Sequence, residues 1–244
     1  MTEAENLFTH IGIRFLHCSE TIMLLSVAAE RGVVAAEKDL AKINREFADS
    51  VLSGSELEGK NIAFAEALTQ KNMNQAKASI EGACLVFAHS MLDGAAIDLS
   101  RVTALLAPED WEQDVEKKQL PLADIRKAPY GELLGSVLEK HMNDLEKESL
   151  LRKIDRLFAR CKPPDGGSVG EEYKYDSERI ARLDQLRQQI VHGESLGQPI
   201  AGFKEELGYL LQTVIFLIHL VANKYDVEFD RSELLRLIPP GFLF

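Results

Sequence analysis

Residues 182–193 read Arg-Leu-Asp-Gln-Leu-Arg-Gln-Gln-Ile-Val-His-Gly. They end a helix predicted to begin near Ser177. Ile180, Leu183, Leu186, Ile190 and Val191 recur at helical spacing, so one stripe of this helix faces apolar surroundings. At roughly 100° per residue, Arg187 falls inside that stripe. A guanidinium keeps its charge, so this one must meet a carboxylate, a phosphate or another protein. His192 follows five residues later, just before Gly193, a glycine placed to cap the helix.

On either side the chain reads as helix after helix. Downstream, past Gly197 and Pro199, an apolar helix is predicted over about 200–225, carrying Leu210, Leu211, Val214, Ile215, Leu217 and Ile218. Upstream, residues 162–176 contain Pro163, Pro164, Gly166, Gly167 and Gly170, which predicts a loop beside the motif helix. Before the loop, a helix over about 149–161 sets Leu151, Ile154, Leu157, Phe158 and Cys161 on one face. Arg152, Arg156 and Arg160, each four apart, line another face, and Lys153 and Lys162 add to this basic stripe. A further helix resumes from Tyr130, and Pro-Glu-Asp-Trp at 108–111 predicts a helix start.

A long helix beginning at Asn72 or Asn74 and reaching Leu106 is apolar nearly all round, which marks it as central and buried. Its polar exceptions are His89, Asp93 and Asp98. His89 and Asp93 are four apart, so Asp93 is expected to orient His89. Asp98 falls on the face of Ile80, Phe87 and Met91, where a carboxylate needs a cation, and Arg101 and Arg187 are the candidates. Nearer the start, Thr2 and Glu5 match a capping box for a helix to about Glu30 that stops at Gly32. A second helix over 35–52 completes a helical hairpin, and a short helix from Ser55 to Thr69 follows. No strand run, internal repeat or phosphate-cradling glycine loop is visible, since Gly166–Gly170 lacks the Lys-Ser/Thr of such a loop. The expectation is an all-α protein, with a helical extension over 1–72 and a bundle over 73–244.

The pattern of Arg187, four residues and His192 at a helix end, between a long upstream helix and a last apolar one, resembles the HEPN (higher eukaryotes and prokaryotes nucleotide-binding) superfamily. The resemblance covers roughly residues 73–225. It implies a HEPN-like helical bundle that pairs as a homodimer. Many members are metal-independent endoribonucleases in which the Arg and His of two protomers meet and cut RNA. Active members usually carry Asn, Asp or His directly after the Arg. Here that residue is Gln188, which keeps the amide on a longer arm.

Metal-free RNA cleavage needs a group that takes or gives a proton and a group that stabilises charge on the phosphate. A His titrating near neutrality serves the first need. An Arg, whose fork grips two oxygens, serves the second. Arg187 and His192 are therefore the candidate catalytic residues. Gln188, Arg152, Arg156 and Arg160 are candidates for contacting substrate, and His89, Asp93 and Asp98 for support. Five residues of regular helix put Arg187 and His192 roughly 140° apart, so either the helix unwinds or a second chain supplies the partner. His89 and Asp93 have the spacing of a metal pair, but no third or fourth ligand accompanies them, so neither metal nor cofactor is expected.

A net charge of −11 and a pI near 5.1 exclude a general nucleic-acid-gathering field, so any RNA must meet a local patch. Cys18, Cys84 and Cys161 are odd in number and widely spaced, as in reduced thiols of a cytoplasmic protein. The start lacks a basic region of the signal-peptide kind. The run 11–29 is broken by Arg14, His17 and Glu20, and Leu210–Val221 is too short to cross a bilayer, so no membrane segment is expected. The leading expectation is a HEPN-type endoribonuclease acting on single-stranded RNA as a homodimer. The alternative is a non-catalytic helical protein that binds a nucleotide or a protein partner through the same surface.

Overall fold

The computed structural model describes residues 2–51, 56–111, 130–161, 176–195 and 197–227. Among these residues the chain is helical, with no strand. It forms α1 (Glu3–Val51), α2 (Glu56–Leu106), a 3-10 turn (Pro108–Trp111), α3 (Tyr130–Leu145), α4 (Leu150–Cys161), α5 (Ser177–Val191) and α6 (Phe203–Tyr225). The all-α expectation holds. Residues 162–175 of the loop predicted over 162–176, and the segment beyond 227, lie outside the described residues.

Helix ends follow the side-chain chemistry that starts and stops them. Thr2 and Glu5 form the reciprocal box: the Thr2 amide donates to Glu5 Oε2 at 2.6 Å and the Glu5 amide to Thr2 Oγ1 at 3.2 Å. Asp176 caps α5 by accepting from the Arg179 amide. At the other end of α5, Gly193 sits at φ +80°. Its amide bonds Ile190 O and the Glu194 amide bonds Gln189 O, the paired bonds of a Schellman close.

Two predicted breaks are corrected. α1 runs straight through Gly32, and α2 runs through Asn72 and Asn74. A single helical glycine costs only about 1 kcal/mol, and an Asn within a helix less. Neither cost outweighs the continuous pairing of two long helices. Residue 72, where the sequence suggested a boundary, therefore lies inside α2.

The core forms around α6, which buries residues on nearly every side, including Leu207, Leu210, Leu211, Val214, Leu217 and Val221. The second half of α2 lies along it, and α1, α4 and α5 close the remaining sides. α1 contributes Phe8, Ile11, Phe15 and Ile22 to this core. A second, smaller cluster joins α3 and the 3-10 turn to the back of α2 through Ile97, Trp111, Val137, Leu138 and Leu145. Trp111 is fully buried and donates from Nε1 to Thr103 Oγ1 at 3.1 Å.

Charged pairs fasten the layers. Asp98 meets Arg14 of α1 and, at 3.4 Å, Arg101; Arg101 also reaches Glu146. The expected Arg101 partner is present, but Arg187 is not one. Arg14, on a helix the sequence placed in a separate extension, takes that role instead. The face around Asp98 is also less closed than expected, because Ile80 and Phe87 are exposed. At the start of α5, Arg179 and Arg182 both pair with the buried Glu206 of α6, Arg179 at 2.9 Å.

Three helical stretches are long and apolar enough to cross a membrane by length and composition: within Glu3–Ile43, Glu66–Leu106 and Phe203–Tyr225. The apolar run Leu210–Val221, too short by itself, thus belongs to a helix of sufficient length. Of the α6 window, 83% is buried inside the fold, against 28% for α1, so the apolarity of α6 is accounted for by the core.

Candidate functional site

α2, α4 and α5 meet around an open groove of about 390 Å³. Its walls are His89, Ser90 and Asp93 of α2, Leu150 and Lys153 of α4, Asp184, Arg187 and Gln188 of α5, and the turn Glu146–Ser149 between α3 and α4. Packing of apolar residues puts the polar ones there. Ile180, Leu183 and Ile190 bury one face of α5. Ile190 approaches α2 at Gly82 so closely that a Cβ there would lie 3.4 Å from its Cγ2. Asp184 and Arg187 share that face by helical spacing and are carried to the junction. On α4, burial of Leu150, Ile154, Leu157 and Cys161 takes Lys153 inward with them.

Lys153 is only 2% exposed, and its Nζ donates to Asp93 Oδ1 at 2.7 Å. His89 is only 3% exposed. Its Nε2 lies 3.2 Å from Asp184 Oδ1, but neither ring nitrogen has a hydrogen-bond partner among the described residues. The expectation that Asp93 orients His89 is therefore corrected. Lys153 takes Asp93, and the carboxylate at the ring is Asp184 from the neighbouring helix. Burial pushes the His89 pKa down and the Asp184 charge opposes it; Arg187 pushes it down further, with smaller opposing effects from Asp93 and Lys153. The imidazole is thus neutral at pH 7.

Arg187 is half-buried, as its place in the apolar stripe required, and its Nε is buried with no hydrogen-bond partner. Gln188 stands exposed at the groove edge. His192 does not line the groove. It is exposed at the end of α5, and its amide still bonds Gln188 O at 2.9 Å, so the helix does not unwind to bring it back toward Arg187.

The basic stripe of α4 is divided. Arg152 is exposed. Arg156 bonds Glu148 Oε1 at 2.7 Å, and its Nη1 lies 3.5 Å from His141 Nε2. Arg160 stacks its guanidinium 3.6 Å above the Trp111 ring centre. A phosphate track along all three is not present as a free surface. Arg156 instead holds the Glu148 wall of the groove. Asp98 lies outside the groove, in the Arg14–Arg101 network.

Sequence reasoning therefore brought His89, Asp93, Arg187 and Gln188 to one site and missed Lys153 and Asp184. Both carried a signal. Lys153 falls at apolar spacing with Leu150, Ile154 and Leu157, and Asp184 is one turn before Arg187 on the same stripe. The described residues hold no cluster of three or more His, Cys, Asp or Glu able to bind a metal ion. Cys161 is inert, its thiol pushed up to about 12 by burial.

Chemically, the groove offers a guanidinium with one buried donor unmet, a buried neutral imidazole, a carboxylate beside it and an ammonium already neutralised. That set suits a bound oxyanion with a proton-exchanging group nearby. No protein family, curated protein or solved structure matches the chain.

Proposed function

We propose that the groove binds a phosphate of RNA through Arg187, and that a homodimer of HEPN type cuts single-stranded RNA there without a metal. The observation that carries the reading is the half-buried Arg187, which lines the groove and whose buried Nε has no hydrogen-bond partner among the described residues. A buried donor left unmet is costly, and a phosphate oxygen would satisfy it. His192 is exposed and does not line the groove of its own chain, so the acid/base would come from the second protomer. Val191, 54% exposed beside His192, and Phe87, 43% exposed on α2, offer apolar surface for that contact. A second reading, binding of a nucleotide or protein partner without cleavage, draws on the distance of His192 from the groove and on Gln188.

The test is cleavage of single-stranded RNA in EDTA. Products ending in 2′,3′-cyclic phosphate or 3′-phosphate are expected, and DNA should survive, because it lacks the attacking 2′-hydroxyl. Light scattering should give twice the 27.2 kDa chain mass. His192→Ala should slow cleavage roughly 100-fold or more, and Arg187→Lys should not rescue activity, since a point charge lacks the two-oxygen grip. An intact dimer that binds a nucleotide but cuts no RNA, even as Gln188→Asn, would replace the enzyme with the binding protein.

A further inference from the structure

We infer that His89 is a positioning residue for the phosphate: binding on Arg187 is coupled to protonation of His89, so the groove takes up a proton together with its ligand. This rests on the reading of the groove as a phosphate site and adds to it a residue and a pH dependence.

The geometry sets up the coupling. His89 is buried beneath the groove, with Nε2 3.2 Å from Asp184 Oδ1 and no hydrogen bond to either ring nitrogen. The charged groups facing it come from each neighbouring helix: Asp93 on its own α2, Asp184 and Arg187 on α5, and Lys153 on α4. Glu146 and Glu148 of the adjoining turn are paired with Arg101 and Arg156. Asp93 is taken by Lys153. Asp184 is therefore the carboxylate left to receive a charged imidazole.

Burial first, and then the Arg187 charge, hold the His89 pKa below its ordinary value against the pull of Asp184. A phosphate seated on Arg187 offsets the larger of the two positive charges that oppose protonation and adds a negative one. The ring then gains a proton from solvent, and the His89–Asp184 contact closes into a charge-assisted hydrogen bond. That bond ties α2 to α5 at the residue pair flanking Arg187 and fixes the guanidinium against the ligand.

The sign of the pH dependence follows. At high pH neither free nor bound protein protonates His89, and affinity is at its floor. As pH falls through the range where only the complex is protonated, affinity rises. It levels off once the free protein is protonated too.

The probe is a 2′-O-methyl oligouridylate with hydroxyl ends. Its diester phosphates do not titrate between pH 5 and 8, and it has no 2′-hydroxyl for cleavage. Its affinity is measured across that range at fixed ionic strength, with proton uptake read by calorimetry in two buffers of different ionisation enthalpy. Wild type should bind about tenfold tighter at pH 6 than at pH 8, with net proton uptake. His89→Gln should lose both the pH dependence and the uptake, and bind at every pH no tighter than wild type does at pH 8. Asp184→Asn, which keeps the shape but not the charge, should reduce the slope, and it answers the question if the Gln variant does not fold. Binding without proton uptake, or uptake that persists in His89→Gln, overturns the coupling and leaves the phosphate site standing. Absence of binding at every pH overturns the phosphate reading, and the coupling with it.

Discussion

Lys153 and Asp93 form the groove's strongest test of buried charge. The ammonium is almost wholly enclosed, whereas the Asp93 side chain is 37% exposed. Removing the carboxylate leaves an enclosed charge with no partner, while removing the ammonium leaves an acid that water can reach. Asp93→Asn should therefore cost about 3 kcal/mol in urea unfolding, and Lys153→Met should cost much less. Equal losses would show that Lys153 reaches solvent. His89 gives a second residue-level expectation. The fold holds its pKa below the ordinary 6.5 that it keeps when unfolded. Above that value neither state is protonated and the ring contributes nothing. As pH falls below it, the unfolded chain takes a proton the fold refuses, and stability drops. His89→Gln should flatten the fall in melting temperature between pH 7 and 5 relative to wild type. Parallel curves for the two proteins would count against a neutral buried ring. Sequence reached His89 and Arg187 because a polar residue on an apolar stripe is visible in one helix alone. It paired His89 with Asp93 wrongly because Asp184, which meets the ring, and Lys153, which takes Asp93, arrive from other helices, and periodicity carries no information about which helices meet.

At the scale of elements, two glycines separate local chemistry from packing. Gly32 is inside α1, and a Cβ there would meet nothing within 4 Å. Gly32→Ala should therefore stabilise the protein by about 0.5–1 kcal/mol, through propensity alone. Gly193 also has open space around it, but its φ of +80° belongs to the left-handed close of α5. Gly193→Ala should cost about 1 kcal/mol, although it too gains only a methyl group in empty space. Denaturant midpoints moving in opposite directions would verify both. The same contrast explains which helix ends were legible. The capping box at Thr2 and the glycine close at Gly193 satisfy orphan backbone groups locally, so their residues announce them. Gly32 looks like a stop and Asn72 like a start by composition, and both are overridden by a partner helix far away in sequence. The α4 arginines show the same limit, since Trp111 and Glu148 divide a stripe that looks continuous on one helix.

Over the whole molecule, all-α character was legible from spacing alone, whereas the joining of the first helices to the bundle was not. That joining runs through Arg14, which contacts Asp98 only once the chain has folded back. α1 and α2 are 49 and 51 residues long, α6 only 23. The last buried residue of α1 is Ala29 and the first of α2 is Ala78; between them no side chain whose exposure is described is buried. Lys204 at the start of α6 pairs with Glu30 at 2.9 Å, which marks the level where the bundle stops. Beyond it α1 continues to Val51, about 30 Å at the rise of an α-helix. Among the described residues these two stretches bury no side chain, too little apolar surface to share the cooperativity of the core. Their backbone amides should trade protons for deuterium through local opening, orders of magnitude sooner than those of α6, which require global unfolding. Mass spectrometry of deuterated fragments from residues 34–51 and 56–77 would show this directly. Protection equal to that of α6 would mean that another surface covers the projecting pair.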